Sequence, residues 1–292
     1  MLLQLLLNGI IAGAAYALVA VSFGIIYSTA RFFHFAHGAV YVAAPYCAYV
    51  FIVWAGMSPL FALPVAMVIA ASLGAALEFV VYRPLRRRGA SPLILLLASL
   101  GLLIFLQNLI SLAFGDQART LRQGDVVEGI RLLGARVTPV QTVIVLCSVL
   151  SCALVWVFLH HTQMGRIVRA VGNDSELARM VGMDSDRALL VTFFVGSGLA
   201  GMAGILVSYD TDMRPTMGLQ ALLIAVVAVI IGGTGSVEGS FLGALLIGLV
   251  QNLVVWKIST QWQDAITFLL LLLFLLLRPQ GLLGRASKGV AV

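Results

Sequence analysis

The sequence predicts an all-α integral membrane protein with about eight or nine transmembrane segments, two glycine-interrupted helices (broken or re-entrant) and a cytoplasmic coupling helix. Three observations predict it. Apolar residues make up 61% of the chain and charged residues 10%, with a mean hydropathy of +1.05, against about 45–50% and about 25% in an average soluble domain. Apolar runs long enough for a helix to cross hydrocarbon, roughly 20 residues each, recur from one end to the other. The charges gather in a few short stretches that hydrocarbon would reject. Residues 1–292 therefore read as one membrane domain. The net charge of +6 is better explained by cytoplasmic arginines than by nucleic acid.

Taken in order, Leu2 to Ser28 is a first apolar run with no basic residue before Arg31, which reads as a retained span and not as a cleaved leader. Gly9, Gly13 and Ala17 make a small-residue stripe for close helix packing. A second run ends near Trp54, and a third, Leu60 to Val81, meets the basic loop Tyr82 to Arg88. A loop with four arginines and no acid belongs on the cytoplasmic side. Leu93 to Phe114 and Val140 to Leu159 are the fourth and fifth runs, separated by the polar outer loop 115–139. Ala188 to Ser208 is the sixth, with Gly196, Ala200 and Gly204 on one stripe. Leu219 to Ile231 is a short seventh, an eighth ends near Val255, and Ala265 to Leu277 is the ninth. Alternation puts twelve of the eighteen basic residues inside, the N-terminus outside and the C-terminus in the cytoplasm. The three cysteines lie in apolar runs and read as packing residues.

Three stretches carry chemistry. The first is 165–187, which holds Arg166, Arg169, Arg179 and Arg187 against Asp174, Glu176, Asp184 and Asp186. Asn173 or Asp174 can cap a short helix, Ser175 to Val181, with Glu176 in its first turn and Gly182 placed to end it. Leu177, Met180 and Val181 then share one face. A membrane protein that holds such a face in water offers a handle to a soluble partner. The second stretch is FHFAHG, where His34 and His37 flank Phe35 and Ala36 and precede Gly38. It reads as lining of a substrate path, as interfacial packing, or as a metal site that lacks further ligands. The third is Gly232 to Gly243. With no lysine after GGTGS, it is not a phosphate loop. Gly235, Gly239 and Gly243 fit close packing, while Gly232, Gly233, Gly235 and Ser236 fit a second break that pairs with FHFAHG across a path. Leucine at Gly38 or Gly235 is expected to fill a close approach. No catalytic constellation, metal site or cofactor is expected, and His160 and His161 read as interfacial.

NGIIAGAAYALVAVSFGIIY, FHFAHG, EFVVYRPLR, FLQNLISL, MGRIVRAVGNDSELARMVGMDSDR, GGTGSVEGSFLGALLIG and RPQGLLGR occur in this order, and together they resemble the LivH-type permease of branched-chain amino acid ABC importers over nearly the whole chain. The resemblance implies a transmembrane subunit of an inner-membrane importer, in contact with lipid. Its partners would be a second permease of the same family in a heterodimer, two cytoplasmic ATPases and an external substrate-binding protein. It also implies that Arg166, Arg169, Asn173, Glu176, Leu177, Ala178, Met180, Val181 and Gly182 couple to an ATPase. The cargo would be an apolar amino acid, with urea or short amides as the alternative. The family usually has Asn where this chain has His34. A secondary transporter is the rival class, but it would need coupling carboxylates within the spans, and Glu78 lies near the end of one.

Overall fold

The computed structural model describes residues 2–122, 129–132, 135–257 and 259–284. Its helices follow the apolar runs. α1 is Leu2–Ala30. α2, Ala36–Tyr49, continues through a π-helical turn, Val50–Trp54. α3, Pro59–Leu77, passes through a second π turn, Glu78–Tyr82, into the short α4, Arg83–Arg87. α5 is Pro92–Phe114 and α6 Pro139–His161, joined by a loop with a two-stranded hairpin, β1 (Ile130–Leu132) and β2 (Ala135–Val137). Then follow α7 (Gln163–Asn173), α8 (Ser175–Met180), α9 (Ser185–Asp210), α10 (Met217–Gly232), α11 (Val237–Val254) and α12 (Gln263–Leu277), the last preceded by a 3₁₀ turn, Thr260–Trp262. Eight of these segments are long and apolar enough to cross a bilayer, and α10 is a shorter apolar helix.

Local chemistry sets the boundaries. α3, α5 and α6 each begin with proline, whose missing N–H costs nothing in a first turn. Thr138 and Gln141 form a reciprocal capping box at the start of α6. Asp184 caps α9 by accepting from Arg187 N at 2.9 Å, and Ser236 caps α11 by accepting from Gly239 N at 3.0 Å.

Small residues decide the packing. α1 runs through the centre, and a side chain at Gly13 would meet Leu245 Cα of α11 at 2.8 Å. Gly248 of α11 lies against the backbone of Gly13, so the two helices approach through reciprocal glycines. On α9, Gly196 accommodates Ile26, Gly201 accommodates Ala70 of α3, and Gly204 lies on the carbonyl of Tyr41. At the periphery, only 17% of the apolar window of α5 and 6% of that of α12 is buried. Those helices are hydrophobic all round, which is stable only in lipid or against another apolar surface.

Hydrogen bonds sort the connections into two ends. At one, Arg136 N donates to Gln4 Oε1 at 2.8 Å, Arg119 and Met213 exchange backbone bonds, and Gln220 reaches Asp264. At the other, Arg31 donates to the carbonyl of Gly172 and Arg83 pairs with Asp186 at 2.9 Å. There too, Leu282 N donates to Ile231 O at 2.8 Å. The basic loop 83–88, the 165–187 stretch and Arg278 thus share the end that holds Arg31.

Two expectations change. The break at FHFAHG precedes its glycine: the chain turns over Arg31 to Phe35, with Arg31 at φ 57°, and Gly38 lies in the first turn of an unbroken α2. Gly232 to Ser236 is a corner between two helices, with Gly233 at φ 103° and Gly235 at φ 95°, where a left-handed backbone favours glycine. Neither glycine interrupts a helix in mid-span. Gly38 does make the close approach, since a Cβ there would lie 2.7 Å from Gly218 O. Gly235 does not: a Cβ there meets nothing within 4 Å.

Glu78, 1% exposed, is held by the guanidinium of Arg86, whose Nη1 donates at 3.0 Å. Removing one partner of a buried pair strands the other charge, at a cost of about 3–5 kcal/mol. Arg86→Leu is therefore expected to lower the melting temperature of the purified protein. Adding Glu78→Leu should recover most of the loss, because an apolar pair replaces the ionic one.

Candidate functional site

Before α9 begins at Ser185, the 165–187 stretch holds two helices, α7 and α8, where the sequence reading expected one. α7 is amphipathic: Gly165, Val168, Val171 and Gly172 are buried, while Arg166 and Arg169 face outward. The spacing of Val168 and Val171 within GRIVRAVGN is the signal that could have found it. Gly172 sits where a side chain would meet Ser28 O at 2.6 Å, and its carbonyl takes Nε and Nη2 of Arg31. Asn173 ends α7 and is exposed.

Asp174 begins α8. Its Oδ1 accepts from the backbone N–H of Glu176 at 3.0 Å and of Leu177 at 2.9 Å, which satisfies two donors that a helix start leaves open. Gly182, at φ 81°, donates to Arg179 O, while Met183 N reaches back to Ala178 O at 2.9 Å. This left-handed glycine turn closes the helix. Ala178 faces the body of the protein and is buried, whereas Leu177, Met180 and Val181 are 57%, 82% and 63% exposed. The apolar triad therefore stands together on the outer face of a capped helix, at the end where the arginines collect.

The second site is the turn between α1 and α2. His34 and His37 are both fully buried, with ring centroids 5.8 Å apart. His34 Nδ1 lies 3.0 Å from the hydroxyl of Tyr82, and His37 Nε2 lies 2.9 Å from Ser22 Oγ. Phe193 of α9 packs on His34 and Tyr82, and Phe23 meets His37 edge-on. Phe35 N donates to Ser99 Oγ of α5 at 3.0 Å, and that hydroxyl donates to Phe33 O. His34 Nε2 and His37 Nδ1 have no hydrogen-bond partner among the described residues. Among those residues no third His, Cys, Asp or Glu joins the pair to hold a metal ion. The arrangement is a buried aromatic box around two imidazoles, each tethered at one nitrogen.

Tyr82, Ser22 and Phe193 complete this box and were not legible as site residues. The nearest signal is the tyrosine of EFVVYRPLR, which looked like the edge of a basic loop. The other proposed pathway residues lie elsewhere. Gly232 packs on Gly239, and Gly233 on Gly284 and Gln280 O, while Ser236 Oγ donates to Glu238 Oε2 at 3.1 Å. The histidines and the glycine corner thus sit in separate neighbourhoods, with α1 touching both through Gly24 and Ser240.

A mutation series can test the tether on His34. His34→Leu leaves the hydroxyl of Tyr82 buried without its partner, a loss of about 1–3 kcal/mol. His34→Asn keeps an acceptor there and is expected to lose less. Thermal unfolding of both variants in the same detergent should show that order.

A family profile described as "Branched-chain amino acid transport system / permease component" matches residues 5–275. The high-affinity branched-chain amino acid transport system permease protein LivH of Escherichia coli K12 is 33% identical, over 97% of this chain and 96% of its own length. The corresponding permease protein BraD of Pseudomonas aeruginosa is 32% identical over the same shares. Among solved structures, PsaBC from Streptococcus pneumoniae in complex with Fab matches with a TM-score of 0.53 at 12% identity, covering 94% of this chain and 91% of that one. That last likeness is one of fold alone. With its helices, its buried turn and its capped polar helix accounted for, the chain belongs to the family of permease components of branched-chain amino acid transport systems.

Proposed function

We propose that this chain is a transmembrane subunit of an ATP-driven ABC importer in the inner membrane, moving a branched-chain or other apolar amino acid that an external binding protein delivers. The observation that carries the proposal is the exposed triad Leu177, Met180 and Val181 on a capped helix. Burying such side chains on a partner contributes roughly 1.5–3 kcal/mol each, enough to hold a docking helix but only if something covers it. An ATPase on that face would push a rigid element, because α7 is clamped to α1 through Arg31 and α8 leads into α9 through Gly182. Arg166, Arg169 and Glu176 would then meet the ATPase at the rim. A nucleotide moves such an equilibrium only through different affinities for the two states.

In this reading the arginine-rich end faces the cytoplasm and the N-terminus lies outside. A second permease of the family covers one of the exposed apolar helix faces, in a heterodimer with two ATPases. His34, Phe35, His37 and Gly38 form the part of the substrate path that opens when α2 moves against α10, and Gly232, Gly233, Gly235 and Ser236 form its second wall near the C-terminal segment. The complex purified with its ATPases and binding protein and sealed into proteoliposomes tests the reading. Uptake of labelled leucine that requires ATP inside and binding protein outside is the expected result. Uptake of urea alone would replace the cargo, and leucine uptake driven by an ion gradient without ATP would overturn the importer.

A further inference from the structure

The turn between α1 and α2 carries a strained residue. Arg31, at φ 57°, is the one non-glycine residue with a positive φ among the described residues. Glycine takes up that conformation readily, and a residue with a Cβ does so at a cost. Such strain persists only where the surroundings over-determine it. Here the side chain supplies the reason: Nε and Nη2 of Arg31 both donate to the carbonyl of Gly172, Nε at 2.7 Å. Glycine at position 31 would relax the backbone and lose that fork. Gly172 in turn allows the close approach, since a Cβ there would lie 2.6 Å from Ser28 O. The end of α7 is thus held on the end of α1, one turn of chain before His34.

A second path of contacts runs from the other side of α8 to the same histidine. Asp186, in the first turn of α9, accepts through Oδ2 from Nε of Arg83 and Nη2 of Arg87, each at 2.9 Å. Arg83 directly follows Tyr82, whose hydroxyl lies 3.0 Å from His34 Nδ1. Glu78 and Arg86 pair across the intervening π turn, which ties α4 to Tyr82. Ser99 of α5 makes a third hold, bonded to Phe35 N and Phe33 O. Gly172 and Asp186 flank α8 in the chain, and each begins a path that ends at His34. The segment that bears Leu177, Met180 and Val181 therefore grips the histidine turn twice, while α5 anchors it.

We infer that Arg31 and Asp186 are positioning residues of the transport step, through which a displacement of α8 resets the histidine turn. The inference rests on the importer reading above. The element with two states is the turn itself. While α7 stays seated on α1, the fork keeps Arg31 left-handed. When α7 shifts, the fork opens and Arg31 returns to the regions that a residue with a side chain prefers. That change re-aims the chain from Phe32 onward, while Ser99 keeps Phe33 and Phe35 on α5. Movement at the ATPase face thereby becomes a different setting of His34 and His37, driven by the difference between two states of the ATPase.

The test uses the complex with its ATPases and binding protein in proteoliposomes, and reads leucine taken up per ATP hydrolysed. Arg31→Gly tolerates the left-handed backbone and removes the fork. It is expected to assemble and to hydrolyse ATP, but to move about tenfold less leucine per ATP, the weight of one charge-assisted bond. Arg31→Lys, a point charge in place of the fork, should lie between it and the wild type. Asp186→Asn, on the second path, should lower the ratio too. A residue that merely held the fold together would lower assembly, hydrolysis and uptake in step and leave the ratio alone, and that result overturns the inference. A second measurement needs no variant. Hydrogen exchange over residues 31–38 of the wild-type complex should differ between the nucleotide-free state and the ATP-loaded, vanadate-trapped state, and equal exchange in both overturns the inference as well. A wild-type complex without ATP-dependent leucine uptake overturns the importer reading, whereas an unchanged ratio in a complex that does take up leucine overturns this inference alone.

Discussion

Leu177→Asp is expected to abolish ATP hydrolysis linked to transport while the permease still reaches the membrane in normal amount. The side chain is 57% exposed on a helix whose other face is seated through Ala178, so the substitution leaves the fold of the permease almost untouched. In a docked complex it places a carboxylate in an apolar contact, losing roughly 1.5–3 kcal/mol of side-chain burial. It adds the cost of desolvating a charge, which is several kcal/mol after relaxation. Together these exceed a factor of about a thousand in docking affinity at 1.4 kcal/mol per tenfold. Hydrolysis stimulated by loaded binding protein is the measurement, with membrane levels checked by blotting. If stimulation stays at the wild-type level, α8 is not the docking element. Met180→Asp, on the same face and more exposed still, should behave alike.

Gly38→Leu is expected to stop uptake. A Cβ at this position lies 2.7 Å from the carbonyl oxygen of Gly218 and 3.5 Å from Leu103 Cδ1. Three further carbons have no room unless α2 and α10 separate. Overpacking of this kind costs about 1–3 kcal/mol, and it falls where α2 begins, directly after the histidine turn. Gly235→Leu is the matched control. Its Cβ meets open space, although φ of 95° is unfavourable to any residue with a side chain. The strain there is about 1–2 kcal/mol, so uptake should fall far less than in Gly38→Leu. Initial rates of leucine uptake, normalised to the amount of protein in the membrane, separate the two. Equal rates for Gly38→Leu and wild type would remove the α2–α10 contact from the transport cycle.

Much of the architecture was legible because hydrocarbon is a demanding solvent. A helix is the element that satisfies its own backbone there, so the apolar runs read as helices, and those read as starting at Leu60, Leu93 and Val140 begin one residue earlier, at Pro59, Pro92 and Pro139. The cap and the stop of α8 were legible too, since Asp174 and Gly182 act on their own neighbours in sequence. The preceding α7 was not separated from α8, because its arginines masked the buried valines between them. The breaks were misplaced for a related reason. Glycine permits a turn but also permits close packing, and sequence cannot tell which use is made of it. Gly38 is spent on packing against Gly218, while the turn before it is made by Arg31 in a left-handed conformation.

Sequence alone thus determined that this is a bundle of membrane-crossing helices with a polar, capped helix held outside hydrocarbon. Those properties follow from transfer free energies and from interactions within a few residues. Tertiary structure alone decided that Tyr82, Ser22 and Phe193 close around His34 and His37, that Glu78 has Arg86 as its counter-charge, and that Arg31 clamps Gly172. Ser22 and His37, or Arg31 and Gly172, stand on different helices, and which of them meet depends on how small residues such as Gly13 and Gly248 let those helices cross. That choice is made by side-chain shape across the whole bundle, which no local pattern in the chain records.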